Sequence, residues 1–101
     1  MGAYFIALID IEDEDGYAEY LGGFDQVFAR YDGRVVAVED NAQVLEGIWP
    51  AARTVLIRFP DESALRDWYD SPEYQAIREH RLRSARCRVA IVRSREPKEK
   101  R

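Results

Sequence analysis

One cysteine and one histidine are all the chain has of two of the strongest metal ligands, so a site built on Cys/His spacing is excluded. Cys87 has no second cysteine for an intramolecular disulfide, and a reducing, cytoplasmic setting is the expected one. No apolar run approaches the roughly 18 residues of a membrane span. The start lacks a basic segment followed by a long apolar stretch, so no leader is expected. Phosphate loops, dinucleotide fingerprints and Gly-x-Ser-x-Gly elbows are missing too. The expectation is a chain with no metal, no cofactor and no membrane partner.

What is present belongs to one folded domain. Of 101 residues, 47% are hydrophobic and 12% aromatic, enough for a modest core and too much for a disordered chain. The net charge of −4 is unevenly spread. Residues 10–32 hold eight acids against Arg30 alone, whereas residues 78–101 are rich in arginine and lysine. The basic residues are not interleaved with exposed aromatics, so solvated faces are expected and nucleic acid is not.

The chain is organised around residues 44–74, which carry both tryptophans and the sharpest boundary signals. Ahead of them, residues 3–11 (AYFIALIDI) are nearly all apolar, as in a strand covered on both faces. Tyr17, Tyr20, Leu21, Phe24, Val27, Phe28 and Tyr31 follow helical spacing, which predicts a helix over about 15–32 with Asp15 as its N-cap. Gly22 and Gly23 interrupt it and mark a kink or a close backbone approach. Gly33 is expected to end it as a C′ residue. Residues 34–39 predict a second strand, and 43–47 a further extended segment. Residues 54–59 predict a third strand, stopped by Pro60. Asp61 caps a short helix with Ala64, Leu65, Trp68 and Tyr69 on one stripe. Ser71-Pro72-Glu73 starts another, with Ser as N-cap, Pro at the first position and an acid in the first turn. Residues 86–93 predict the last strand.

This order, βαββαβ with the second helix broken at Ser71-Pro72, predicts an α+β, ferredoxin-like fold: a four-stranded antiparallel sheet with its helices on one face. The domain is expected over 1–93, followed by a charged, disordered tail over 94–101. Tyr4, Ile6 and Leu8 alternate with Phe5, Ala7, Ile9 and Ile11, yet helices cover only one face. A second copy covering the other would make a homodimer whose two sheets close into a barrel.

The order Leu45-Glu46-Gly47-x-Trp49, Arg53, Phe59-Pro60, Ala64 and Trp68-Tyr69-x-Ser71-Pro72-Glu73-Tyr74-Gln75 resembles the domain-of-unknown-function 1330 family. Tyr4, Tyr17, Tyr20, Tyr31 and Gly33 fit the same pattern, and the resemblance covers about residues 3–93. It implies a dimeric α/β-barrel, bacterial and cytosolic, and it implies no reaction and no catalytic residue.

Trp49, Arg53, Trp68, Tyr69, Tyr74, His80 and Arg81 are the candidates to line a pocket or an interface. His80 is the single histidine, the residue type most used for proton transfer, but in REHRLR a surface or capping role is expected ahead of a catalytic one. Arg53 is the other weak catalytic candidate, with a salt bridge to Glu46 as its expected structural role. Trp49 is expected to be a dimer anchor ahead of a pocket wall. The tyrosine stripe reads as core with wet hydroxyls, Ser71 as a cap, and Cys87 as a small buried hydrophobe. The expected function is a homodimeric barrel binding a small apolar or aromatic molecule. The alternatives are a cofactor-independent monooxygenase- or isomerase-like enzyme, and a structural or regulatory dimer without ligand.

Overall fold

The computed structural model describes residues 2–95. Its elements are β1 (Ala3–Ile11), α1 (Glu14–Phe28), β2 (Arg34–Glu39), β3 (Arg53–Phe59), α2 (Glu62–Tyr69), α3 (Pro72–Ser84) and β4 (Ala85–Arg93). The strands form one sheet in the order β2-β3-β1-β4, every neighbouring pair antiparallel. This is the ferredoxin-like arrangement, with the second crossover helix split into α2 and α3.

The break between α2 and α3 is chemical. Ser71 Oγ accepts from the Tyr74 amide at 3.1 Å and donates to the Trp68 carbonyl at 2.8 Å, so one hydroxyl stops α2 and starts α3. Pro72 occupies the first turn, where its missing N–H is not needed. Asp61 caps α2 by accepting from the Ala64 amide at 2.8 Å. At α1 the N-cap is Asp13, not Asp15, and its side chain makes no capping bond. The entry is fixed instead by the amides of Glu12 and Asp13, which both donate to the Ser84 carbonyl.

The sheet is two-faced. Ala3, Phe5, Ala7 and Ile9 of β1, with Ile57 and Phe59 of β3, are buried under the helices. Trp68 of α2 is wholly buried at the centre, stacked on Phe59 at 5.4 Å and edge-on to Phe5 at 5.2 Å. Burying aromatics of this size supplies most of the local driving force. The strand register places Tyr4, Ile6 and Leu8 on the opposite face, level with Val92, Ala90 and Leu56. No helix among the described residues covers them, and they are half-buried or exposed.

Several expectations are corrected. Helix α1 ends at Phe28, not 32, because residues 29–32 turn back toward β2. Gly33 does not take a left-handed cap; Gly47 alone among the described residues has a positive φ. Gly33 is needed for space, since a Cβ there would meet the rings of Phe28 and Phe59 at 2.6 Å. Residues 43–47 are not a strand but part of a loop over 40–52. Of the expected tail, only Ser94 and Arg95 are described, so its disorder lies outside the described residues.

Candidate functional site

Helix α1 lies over the sheet but does not fill all the space beneath it. Between its inner side and strands β1, β3 and β2 is an open-mouthed cavity of about 390 Å³. That volume is within the range of small-molecule pockets. Its body is apolar: Phe24 from α1, Val35 and Val38 from β2, Val55 and Ile57 from β3. Val35 and Val38 are exposed because β2 is an edge strand that α1 does not reach across.

One part of the wall is polar. Tyr17 and Tyr20 of α1 stand one helical turn apart with ring centroids at 5.5 Å. Each is faced by a guanidinium: Arg53 lies 5.5 Å from the Tyr17 centroid, and Arg81 5.7 Å from that of Tyr20. Arg53 comes from the first residue of β3, Arg81 from α3, and both line the cavity. The two cations are not equally provided for. Arg53 is held by Asp40, Nε at 2.6 Å and Nη2 at 3.2 Å. That pairing raises the Arg53 pKa further. Arg81 is only 2% exposed, and its Nε and Nη2 are buried without a hydrogen-bond partner.

The phenols here are hydrogen-bond donors, not bases. Tyr20 also reaches out of the cavity, its hydroxyl 2.7 Å from that of Tyr74. Burial pushes the pKa of Tyr17, Tyr20 and Tyr74 above the ordinary tyrosine value, so all three are neutral at physiological pH. Asp25 is the carboxylate on the cavity wall and is exposed. Among the described residues, no group of His, Cys, Asp and Glu is placed to hold a metal.

The residues singled out in the sequence are scattered. Of Trp49, Arg53, Trp68, Tyr69, Tyr74, His80 and Arg81, the cavity brings together Arg53 and Arg81. Trp68 and Tyr74 are wholly buried core behind it. Tyr69 lines a separate hollow with Leu65 and Ile91. Trp49 sits on the 40–52 loop, its indole N–H donating to Thr54 Oγ1 at 3.0 Å. Thr54 is level with Leu8, which sets Trp49 beside the uncovered sheet face and away from the cavity. His80 is on α3, half-buried, outside the cavity wall. Glu46 is exposed and does not pair with Arg53, because Asp40 holds that position. Sequence reasoning missed the other wall residues, among them Tyr17, Tyr20, Phe24, Val35, Val38 and Val55, which look like ordinary core in a linear pattern.

A split βαββαβ chain with a one-faced helical layer defines a ferredoxin-like α+β protein. The chain belongs to the family described as domain of unknown function DUF1330, whose model matches residues 2–94. No curated protein matches it. Among solved structures it is similar to RPA0582, a protein of unknown function from Rhodopseudomonas palustris. The two share 19% identity over 95% of this chain and 84% of that one, with a TM-score of 0.75. It is also similar to a dimeric ferredoxin-like protein of unknown function from Jannaschia sp. CCS1, at 15% identity over 93% and 100% of the two chains, TM-score 0.71. A third similar structure is SnoaB, a cofactor-independent oxygenase from Streptomyces nogalater, at 14% identity over 98% of each chain, TM-score 0.64. No helix among the described residues is long and apolar enough to cross a membrane.

Proposed function

We propose that this protein is a homodimer whose subunits each bind a small apolar or aromatic molecule in the cavity between α1 and the sheet. The observation that carries the reading is the cavity itself: about 390 Å³, walled mainly by aliphatic and aromatic side chains, with a few polar groups gathered together. An open apolar pocket of that size with a few gathered polar groups is the form that small-molecule sites take.

The dimer is supported by the uncovered face that carries Tyr4, Ile6, Leu8 and Leu56, and by the description of similar folds as dimeric. Trp49, beside that face, is the proposed anchor. A cytoplasmic setting is consistent with the lone cysteine.

A second reading is a cofactor-independent oxygenase- or isomerase-like enzyme, favoured by the likeness to SnoaB. Such chemistry needs a group that takes a proton from the substrate. The phenols on the wall are too basic to be ionised, Asp25 is exposed, and His80 is elsewhere. Binding is therefore the stronger reading. Arg53 and Arg81 fit it as groups that fix orientation.

The test is native mass spectrometry of protein purified from its own host, beside a Val38→Trp variant that blocks the cavity mouth. The expected result is a dimer with a small molecule retained by the natural chain and lost from the variant. A molecule retained equally by both would place binding elsewhere, and a monomer at micromolar concentration would remove the dimer.

A further inference from the structure

Counting donors against acceptors at the polar part of the cavity gives a surplus of one kind. A guanidinium has five N–H donors and no acceptor. On Arg81, Nε and Nη2 are buried without a well-formed hydrogen bond, and the neutral Tyr74 hydroxyl and the Cys87 sulfur are the polar groups beside the guanidinium. Of the two hydroxyl protons of Tyr20 and Tyr74, one is used between them, and no carboxylate or carbonyl among the described residues accepts the other. Among the described residues Arg81 forms no ion pair. Arginine does not shed its proton in proteins. A desolvated cation without a counter-charge is costly, and natural chains rarely leave one so.

We propose that the occupant of this cavity is an apolar anion, an aromatic or aliphatic carboxylate, whose charged end meets Arg81 beside the Tyr20 ring and whose body lies along Val55, Ile57 and Val38. The inference rests on the binding reading above and goes further by fixing the charge and polarity of the ligand. A carboxylate supplies what Arg81 lacks: up to four acceptor positions and one negative charge, in a planar shape that matches a guanidinium. The apolar wall excludes a small hydrophilic anion, which would lose its hydration there and gain no apolar contact. Arg53 is the secondary cation. Its pairing with Asp40 offsets most of its charge, so it helps to orient the ligand rather than to make the primary contact.

The experiment compares naphthalene-2-carboxylate with its neutral counterpart naphthalene-2-methanol on the full chain. Calorimetry gives the affinities, and methyl NMR shifts of Val55 and Ile57 place the site. The expected result is a carboxylate bound roughly 10- to 100-fold more tightly, the range for a charge-assisted contact. The preference should disappear in Arg81→Met while the alcohol still binds, and should persist in Arg81→Lys. Equal affinity of the two probes, with shifts at Val55 and Ile57, would leave the binding reading standing and overturn the anion inference. Binding of neither probe at millimolar concentration would remove both. Should Arg81→Met fail to fold, the comparison of probes on the natural chain decides by itself. A folded Arg81→Met that keeps the preference would overturn the role given to Arg81.

Discussion

The hydroxyls of Tyr20 and Tyr74, on helices α1 and α3, lie 2.7 Å apart although the residues are 54 positions apart in sequence. The rings meet edge-on at 6.2 Å. Removing either hydroxyl leaves the other buried without its partner, whereas removing both leaves two compatible apolar rings. Tyr20→Phe and Tyr74→Phe are each expected to destabilise the fold by about 1–3 kcal/mol. The double variant should lose clearly less than the sum. Urea unfolding of the four proteins measures the coupling, and strict additivity would show that the two hydroxyls are not partners.

Alkaline pH tests the same region. The folded-state pKa values of Tyr17, Tyr20 and Tyr74 are raised, by burial above all. The folded chain therefore holds these protons longer than the unfolded one. Their contribution is fully present below about pH 10, the ordinary tyrosine value, and is lost as the pH rises from there through the raised values. Each phenol removes about 1.4 kcal/mol per pH unit within that window. Urea midpoints should be flat from pH 7 to 9 and fall steeply above 10, with a shallower fall in Tyr20→Phe. An identical slope in the variant would count against the buried phenol.

The two adjacent glycines of α1 should respond oppositely to alanine. A Cβ at Gly22 meets nothing within 4 Å, whereas one at Gly23 would lie 2.7 Å from Cγ2 of Ile77 on α3. Gly22→Ala is expected to stabilise by up to about 1 kcal/mol, the helix-propensity difference. Gly23→Ala is expected to destabilise by about 1–3 kcal/mol through overpacking. Ile77→Ala should relieve the second effect. Thermal unfolding distinguishes the signs, and two stabilising substitutions would contradict the close approach.

The uncovered sheet face gives a solution test. Ile6 and Leu56 are register neighbours there. Ile6→Asp or Leu56→Asp puts a carboxylate in the middle of the proposed contact, where two copies would bury it without a counter-charge. Light scattering should show a dimer for the natural chain and a monomer for either variant, with the helical circular dichroism unchanged. A dimer that survives both substitutions would move the contact to another surface.

Much of the fold was legible because local chemistry decides it. The apolar run over 3–11 and Ser71-Pro72-Glu73 have one physical reading each, and β1 and α3 begin where those signals fall. Residues 29–33 read wrongly because Tyr31 continued the helical spacing. The chain turns there on account of Phe59, a residue far along the sequence whose ring needs the space at Gly33. The cavity was less legible still. Tyr17, Tyr20 and Phe24 show which side of α1 is apolar, but periodicity does not reveal whether that side is filled. Arg81 stood out only as one arginine in a basic run. Its burial depends on α3 lying along α1, a long-range packing that no local pattern shows.

Arg53 touches two things that are otherwise remote. One is Asp40, at the root of the 40–52 loop, on which Leu45 and Ile48 stand 94% and 95% exposed. The other is the Tyr17 ring in the cavity wall. A single guanidinium is thus the hinge pin between a loop of exposed apolar side chains and an interior chamber. If an occupant of the chamber touches Arg53, the loop's position and the chamber's occupancy become linked thermodynamic variables. A ligand that draws Arg53 inward weakens its hold on Asp40, and by reciprocity anything that clamps the loop changes the ligand's affinity by the same factor.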